Sequence, residues 1–376
     1  MNGASPEDLE MRYMLEESLD WDSFDVIKFA GLTSYPVTAL VDFVVAKQQT
    51  LHFVDISYSR LINFMQTIDM TYCYQQSVTM TSRQLKEKRN PYHNNMHAAD
   101  VVHGVYCFLS HAEIFKEMSR LDLFACVIAA AIHDYHHPGR TNQFLVTQSH
   151  PIAIHHNDQS PNERYHLSEA FRMMQEDERN FLVRLQPKTR LEVRQTIIDL
   201  VLSTDLAMTM KYLSSFQMLL AKKKDEKTEG LINRDNLTTV KEETRTLSDL
   251  NNSSSSSGVM DAGESILLLQ IAIKVADISH PSRRLQLHKD WTERIQAEFF
   301  LQGDIQREDG LKVDPLCDRH NVDVNKAQMG FIDFVCRPLI QPFAQFIEMP
   351  ILIDNLNSNY KYWSDRNQLK EANDEK

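Results

Sequence analysis

A chain of 376 residues can bury a sizeable core, and its 10 glycines and 12 prolines are sparse beside plentiful methionine and leucine, a balance that favours helices. No run of regularly alternating β-branched residues stands out, so the expected class is all-α. The formal net charge of −12 repels polyanions and argues against long nucleic acid as a partner, so a small anionic substrate would need local positive charge such as metal ions.

The acidic start lacks the apolar core of a signal peptide, and no stretch approaches the ~18 uninterrupted apolar residues of a membrane-spanning helix. Five cysteines stand apart with no Cys-x-x-Cys and read as reduced packing thiols. A cytoplasmic protein without a transmembrane segment is the expectation. Residues 1–25 read as a polar lead-in that ends in a helix cap near Asp20-Trp21-Asp22. A helical domain then spans 26–350, opening with several short helices; the spacing in Leu61-Ile62-Asn63-Phe64-Met65 is typical of them.

Pro91 interrupts the pattern. Proline suits the first turn of a helix and disfavours helix before it, so a new helix carrying His93 and His97 is expected, running toward Leu109. Four residues apart, both imidazoles would leave the same helix face. Taken alone, such a pair is more often packing than chemistry. Leu121 to Ile132 is apolar almost all round, with small residues that allow close contact, and reads as a buried central helix. It ends on His133-Asp134-Tyr135-His136-His137-Pro138-Gly139, a helix stop. Ionisable groups at the end of a buried helix are costly without partners, and a metal would satisfy them. Periodic segments follow at 166–176, 191–206, 264–279, 288–302 and 324–348. Between them the charged and serine-rich stretch 222–262 reads as a mobile insertion. Residues 351–376 read as a C-terminal tail, polar and frayed from Ser364 on.

Of the 15 histidines, 11 fall between His93 and His166, which raises the odds of a metal site. His97, His133, Asp134 and Asp277 suggest themselves as ligands, two neutral imidazoles and two carboxylates that suit zinc or a similar divalent ion. A second ion, magnesium or manganese, could share Asp134 and be held otherwise by waters. His137, Glu163, Thr204 and Asp205 are candidates to hold those waters. Two cations about 3.5–4 Å apart would grip a phosphate and activate water against it, which is phosphoester hydrolysis.

The order of His97, His133-Asp134 and Asp277 resembles that of the HD-domain metal phosphohydrolases. The finer pattern resembles the class I cyclic nucleotide phosphodiesterases. It is carried by Tyr92-His93-Asn94-x-x-His97-Ala98-Ala99-Asp100-Val101, Ala129 to Tyr135, Asn157-Asp158 before Glu163, Leu202-Ser203-Thr204-Asp205, Ala276-Asp277-Ile278-Ser279-His280-Pro281, Trp291-Thr292 through Glu298-Phe299-Phe300, and Gln328-x-Gly330-Phe331-Ile332-Asp333-Phe334. The resemblance implies a compact all-α catalytic domain of about sixteen helices that opens cyclic AMP, and cyclic GMP as well, to the 5′-monophosphate. It implies His93 as the general acid, a role that the unliganded first histidine of the pair also suits. It implies a substrate pocket built from Tyr92, Asn142, Leu206, Ile278, His280, Trp291, Ile295, Phe299, Gln328 and Phe331. In that pocket Gln328 reads the purine edge and Phe331 with Ile295 sandwiches the ring. Relatives commonly carry regulatory domains, which here would lie outside this chain.

Departures from the family pattern are informative. Glu163-Arg164-Tyr165-His166 replaces the usual Glu-Asn-His-His, His280 stands where cyclic-AMP-selective relatives often have asparagine, and His288 is an uncommon choice near the pocket wall. Histidine at position 280 leans toward dual specificity. Two rival readings remain: an HD-type nucleotidase, which has no use for Gln328 and Phe331 together, and a non-catalytic nucleotide sensor.

Overall fold

The computed structural model describes residues 5–47, 55–73, 90–238 and 261–374. Among the described residues every regular element is helical, as the composition leads one to expect. In chain order these are α1 (Pro6–Glu16), α2 (Val26–Leu32), α3 (Pro36–Lys47), α4 (Tyr58–Cys73), α5 (Asn95–His111), α6 (Glu113–Lys116), α7 (Arg120–Ile132), α8 (Asn142–Thr147) and α9 (Pro151–His155). They continue with α10 (Pro161–Met173), α11 (Pro187–Ser203), α12 (Thr209–Thr238), α13 (Ala262–Asp277), α14 (Leu285–Glu308), α15 (Val324–Phe331), α16 (Arg337–Phe346) and α17 (Ile351–Asp374). A turn of π-helix, Ile332–Cys336, joins α15 to α16.

Helices α5, α7 and α13 form the centre. Every residue of α7 from Leu123 to Ile132 is buried, and its alanines let α3, α5, α11 and α13 pack against it. Each large aliphatic side chain so buried contributes about 1.5–3 kcal/mol. Contact between α5 and α13 is closer still, because Gly104 faces Ala276. A Cβ at position 104 would stand 3.0 Å from the Ala276 Cβ. Gly104 lies two turns along α5 from His97, and Ala276 adjoins Asp277, so this close approach brings a histidine of one helix to a carboxylate of the other.

The chain departs from its sequence reading in four places. The polar lead-in contains α1, capped by Ser5 and Asp8, and buries Leu15, Trp21 and Phe24. Asp25, rather than the Asp20–Asp22 stretch, caps the next helix, accepting from the Lys28 N–H at 2.9 Å. Residues 222–238 of the expected insertion continue α12 as helix, while 239–260 lie outside the described residues. The C-terminal tail is α17, which buries Leu352, Leu356, Asn359 and Trp363 beneath its polar face. Among the described residues no single helix is long and apolar enough to cross a membrane; α2 and α3 pass such a test together but are bent by 105°.

Candidate active site

Pro91 and Asn94 set the entry to α5. The Asn94 side chain accepts from the Met96 N–H at 2.9 Å, and its amide donates to the carbonyls of Asn90 and Pro91 at 2.8 and 3.1 Å, so it is the N-cap. The helix therefore begins at Asn95. His93 sits in the turn before it instead of sharing a helix face with His97. The two rings still meet, 5.8 Å apart and nearly perpendicular at 88°. Asn90 staples this turn to the loop after α7 by donating to the carbonyls of His93 at 3.2 Å and His137 at 2.7 Å.

Helices α7 and α13 both end at one place, delivering His133-Asp134 and Asp277 beside His97. The donor atoms of these four residues lie within 4.8 Å of one another. His97 Nε2 is 3.0 Å from Asp277 Oδ1 and 3.5 Å from Asp134 Oδ2; His133 Nε2 is 3.0 Å from Asp134 Oδ2 and 3.4 Å from Asp277 Oδ1. The two Nε2 atoms are 3.3 Å apart. Ligands about 2.0–2.1 Å from a central ion form a tetrahedron with edges of about 3.4 Å, so the spacing fits zinc. The second nitrogen of His133 is already committed to the Ala130 carbonyl at 2.9 Å, which orients the ring. Helix carboxyl ends carry partial negative charge, and two of them meet two carboxylates here; a divalent cation is the natural counterpart. Burial works against charge on Asp134 and Asp277, yet the neighbouring histidines hold both carboxyls well below the usual range.

A second donor group overlaps the first: Asp134, His137 and His166. His166 turns Nδ1 to the Tyr135 carbonyl at 2.7 Å, while its buried Nε2 has no hydrogen-bond partner among the described residues and lies 3.7 Å from Asp134 Oδ1. Such an orphan beside a carboxylate fits a hydrated second ion.

Glu298 on α14 is the residue that sequence reasoning quoted without assigning. One of its oxygens bonds His93 Nδ1, and the other accepts from the backbone N–H groups of Tyr92 and His93, both at 3.0 Å. The carboxylate thus grips the whole turn. His93 Nε2 is left facing the cluster, 3.9 Å from Asp134 Oδ2, and its ring stacks on His137 at 3.8 Å. Burial disfavours a charged His93, but Glu298 and Asp134 outweigh it and raise the imidazole to about 9. Burial likewise opposes the Glu298 anion, and the His93 charge brings that carboxyl down to about 2. Its signal in the sequence was only its place in the Trp291 to Phe300 motif.

The remaining expected residues have surroundings of their own. Asn142 holds Glu163, donating to its carboxylate at 3.0 and 3.2 Å, and accepts from the Asn162 N–H at 3.0 Å. Burial, then the charge of Asp205, pushes Glu163 up to about 7. Asp205 accepts from the Ser160 hydroxyl at 2.7 Å, and buried Lys274 donates to the carbonyls of Ser203, Thr204 and Asp205 at 3.0, 3.3 and 2.8 Å. Tyr92 packs 4.5 Å from His97 and 5.3 Å from Trp291, whose indole nitrogen is buried without a hydrogen-bond partner among the described residues. Phe331 lies parallel to His280 at 5.7 Å, and Gln328 is buried against Thr292. Ile278 is buried, while Ile295 and Phe299 are half-buried on α14. Leu206 is 51% exposed in the turn after α11. The histidine crowding in sequence is only partly crowding in space: His93, His97, His133, His137 and His166 gather here, whereas His103 is a core residue bonded to the Ser18 carbonyl and Arg283.

Fold and site together define an all-helical protein with a candidate divalent-metal centre. The family model described as 3′5′-cyclic nucleotide phosphodiesterase matches residues 92–358, a stretch that contains His93, His97, His133, Asp134, Asp277 and Glu298. The chain belongs to that family. It is 31% identical over 355 residues to the 3′,5′-cyclic-AMP phosphodiesterase 4C of Rattus norvegicus, covering 94% of this chain and 59% of that protein. It is 32% identical to the mouse protein of the same name, over 94% of this chain and 46% of the other. To the 3′,5′-cyclic-AMP phosphodiesterase isoform F of Drosophila melanogaster it is 31% identical, over 96% and 48%. The chain spans about half the length of the curated relatives it matches.

Proposed function

We propose that this chain hydrolyses 3′,5′-cyclic AMP, and cyclic GMP beside it, to the 5′-monophosphate, acting in the cytoplasm to end cyclic nucleotide signals. The observation that carries the reading is the convergence of four metal-ligand side chains with a histidine held as an acid one turn away. We assign the catalytic unit to residues 26–350, with an insertion at 222–262 whose first residues, 222–238, extend α12, and with α17 packed against the unit.

His97, His133, Asp134 and Asp277 would hold zinc; His137, Glu163, His166, Thr204 and Asp205 would border a magnesium or manganese ion sharing Asp134. Bound divalent ions supply Lewis-acid polarisation of the phosphate and a lowered pKa for water. The protein groups do the rest. Glu298 keeps His93 Nδ1 occupied, so the proton on Nε2 is the one that can move. His93 passes it to the departing 3′ oxygen, a step worth about 10²–10⁴-fold. Tyr92 and Trp291 wall the centre against bulk water, and Gln328 with Phe331 and Ile295 seats the purine.

Turnover of cyclic AMP and cyclic GMP, measured side by side with zinc and magnesium supplied, tests this. The wild type should release 5′-monophosphates and Asp277→Ala should not. Cleavage of other nucleotides alone would favour an HD-type nucleotidase, and binding without turnover would favour a sensor.

A further inference from the structure

The mechanism leaves His288 and Trp363 without a role, yet they form a continuous chain of hydrogen bonds to His280. Trp363, on α17, donates its indole N–H to His288 Nε2 at 2.7 Å. An indole is a donor only, so His288 Nε2 must carry a lone pair. A neutral imidazole has one N–H, which therefore sits on His288 Nδ1. That atom is 3.0 Å from His280 Nδ1, which in turn must accept. The proton of His280 is left on Nε2. No other assignment fills both bonds: a charged His288 would point an N–H at the indole N–H, and a charged His280 would require His288 to carry no proton at all. Burial favours the same neutral forms, lowering His280 well below its ordinary value and His288 to about 3.

The second nitrogen of His280 has no hydrogen-bond partner among the described residues. Its ring lies parallel to Phe331, the expected purine platform, at 5.7 Å and 17°, with Tyr92 edge-on at 6.3 Å. We propose that Trp363 is a positioning residue that locks His280 as a fixed N–H donor in the purine pocket, and that this donor admits guanine beside adenine. Guanine offers acceptors at both O6 and N7, whereas adenine offers N7 and opposes a donor with its own N6 amino group. A side-chain amide would serve either base by rotation; a ring with one fixed N–H favours an acceptor edge. The proposal rests on the phosphodiesterase reading and deepens it, making a residue of the last helix a determinant of base choice.

Two-bond ¹H–¹⁵N spectra of the ¹⁵N-histidine-labelled chain, with zinc and magnesium supplied, report which ring nitrogen carries the proton, and His280→Asn and His288→Asn assign the signals. The wild type should show His288 protonated on Nδ1 and His280 on Nε2. His280 protonated on Nδ1 would overturn the proposal with no variant needed. Trp363→Phe should release both tautomers. It should raise KM for cyclic GMP and lower the ratio of kcat/KM for cyclic GMP over cyclic AMP about five- to tenfold, the worth of one hydrogen bond, with kcat little changed. His288→Leu should reproduce that shift without touching α17. If the tautomers move and the ratio does not, the specificity role falls. Absence of any cyclic nucleotide turnover by the wild type is a different failure, that of the phosphodiesterase reading, and leaves the spectra to be judged alone.

Discussion

Glu298 serves one turn of backbone and one imidazole with a single carboxylate, reaching His93 across 205 residues of sequence and Tyr92 across 206. Glu298→Gln keeps the shape but cannot accept at every contact, so turnover should fall about 10–100-fold while zinc content, measured by atomic absorption, stays at the wild-type level. His93→Asn should cost about 10²–10⁴-fold in kcat, again with metal retained; loss of metal in either variant would refute the division between acid and ligands. His133, Asp134 and Asp277 were legible because each is an ionisable residue ending an apolar stretch, where burial without a partner is costly, and His97 because it is paired with His93 four residues before it in a histidine-rich stretch. Glu298 was not, since a glutamate on an amphipathic helix reads equally well as solvated, and only its distant partners reveal its work. His280 and His288 stood out as unusual letters, but their coupling depends on an indole that the polar look of residues 351–376 concealed.

Helix packing explains how those side chains come to be neighbours. At position 104 a Cβ would stand only 3.0 Å from that of Ala276, and the branched side chain of Gly104→Val should force α5 from α13. A loss of about 1–3 kcal/mol in urea unfolding is expected, together with weaker zinc binding by competition with a chelator. Unchanged zinc affinity would mean that this contact does not set the separation of His97 from Asp277. A second joint is Asp69 on α4, buried, which accepts from the Val37 and Thr38 N–H groups at the start of α3 at 3.1 and 2.8 Å and from Asn95 of α5 at 3.3 Å. Burial outweighs these bonds and raises its carboxyl from 3.8 to about 6. The folded chain therefore holds that proton more tightly than the unfolded one. Its favourable contribution is complete below about pH 4 and is lost as pH climbs toward 6. Relative to Asp69→Asn, which cannot titrate, the wild type should lose up to about 3 kcal/mol across that window and nothing more above it. A flat difference between pH 4 and 7 would contradict the assignment. Element type was readable from composition, and α7 from its apolar run. Less readable were the start of α5, where Asn94 prevailed over Pro91 as the boundary, and α17, whose polar face masks the few large residues it buries.

At the scale of the molecule, a net charge of −12 surrounds a centre that itself gathers carboxylates, so cations and fold should be mutually dependent. Stripping divalent ions with a chelator should lower the melting temperature by about 5 °C or more, and zinc should restore it. No shift would mean that the folded chain does not bind metal at the cluster. The two ends of the described chain meet at one turn, His280–Ser282 and the residue after it. Trp21 donates to the Ser282 carbonyl at 2.7 Å and lies under the Arg283 guanidinium at 3.5 Å. Asn359 donates to the carbonyls of Pro281 and Arg283, both at 2.8 Å, and Asn355 links Ser282 to Asp22. In mechanical terms the turn is a joint where two tethers are tied. A pull on α17 or on the segment around Trp21 does not dissipate in a loose end; it arrives as displacement of the ring at position 280, on the wall of the proposed purine pocket.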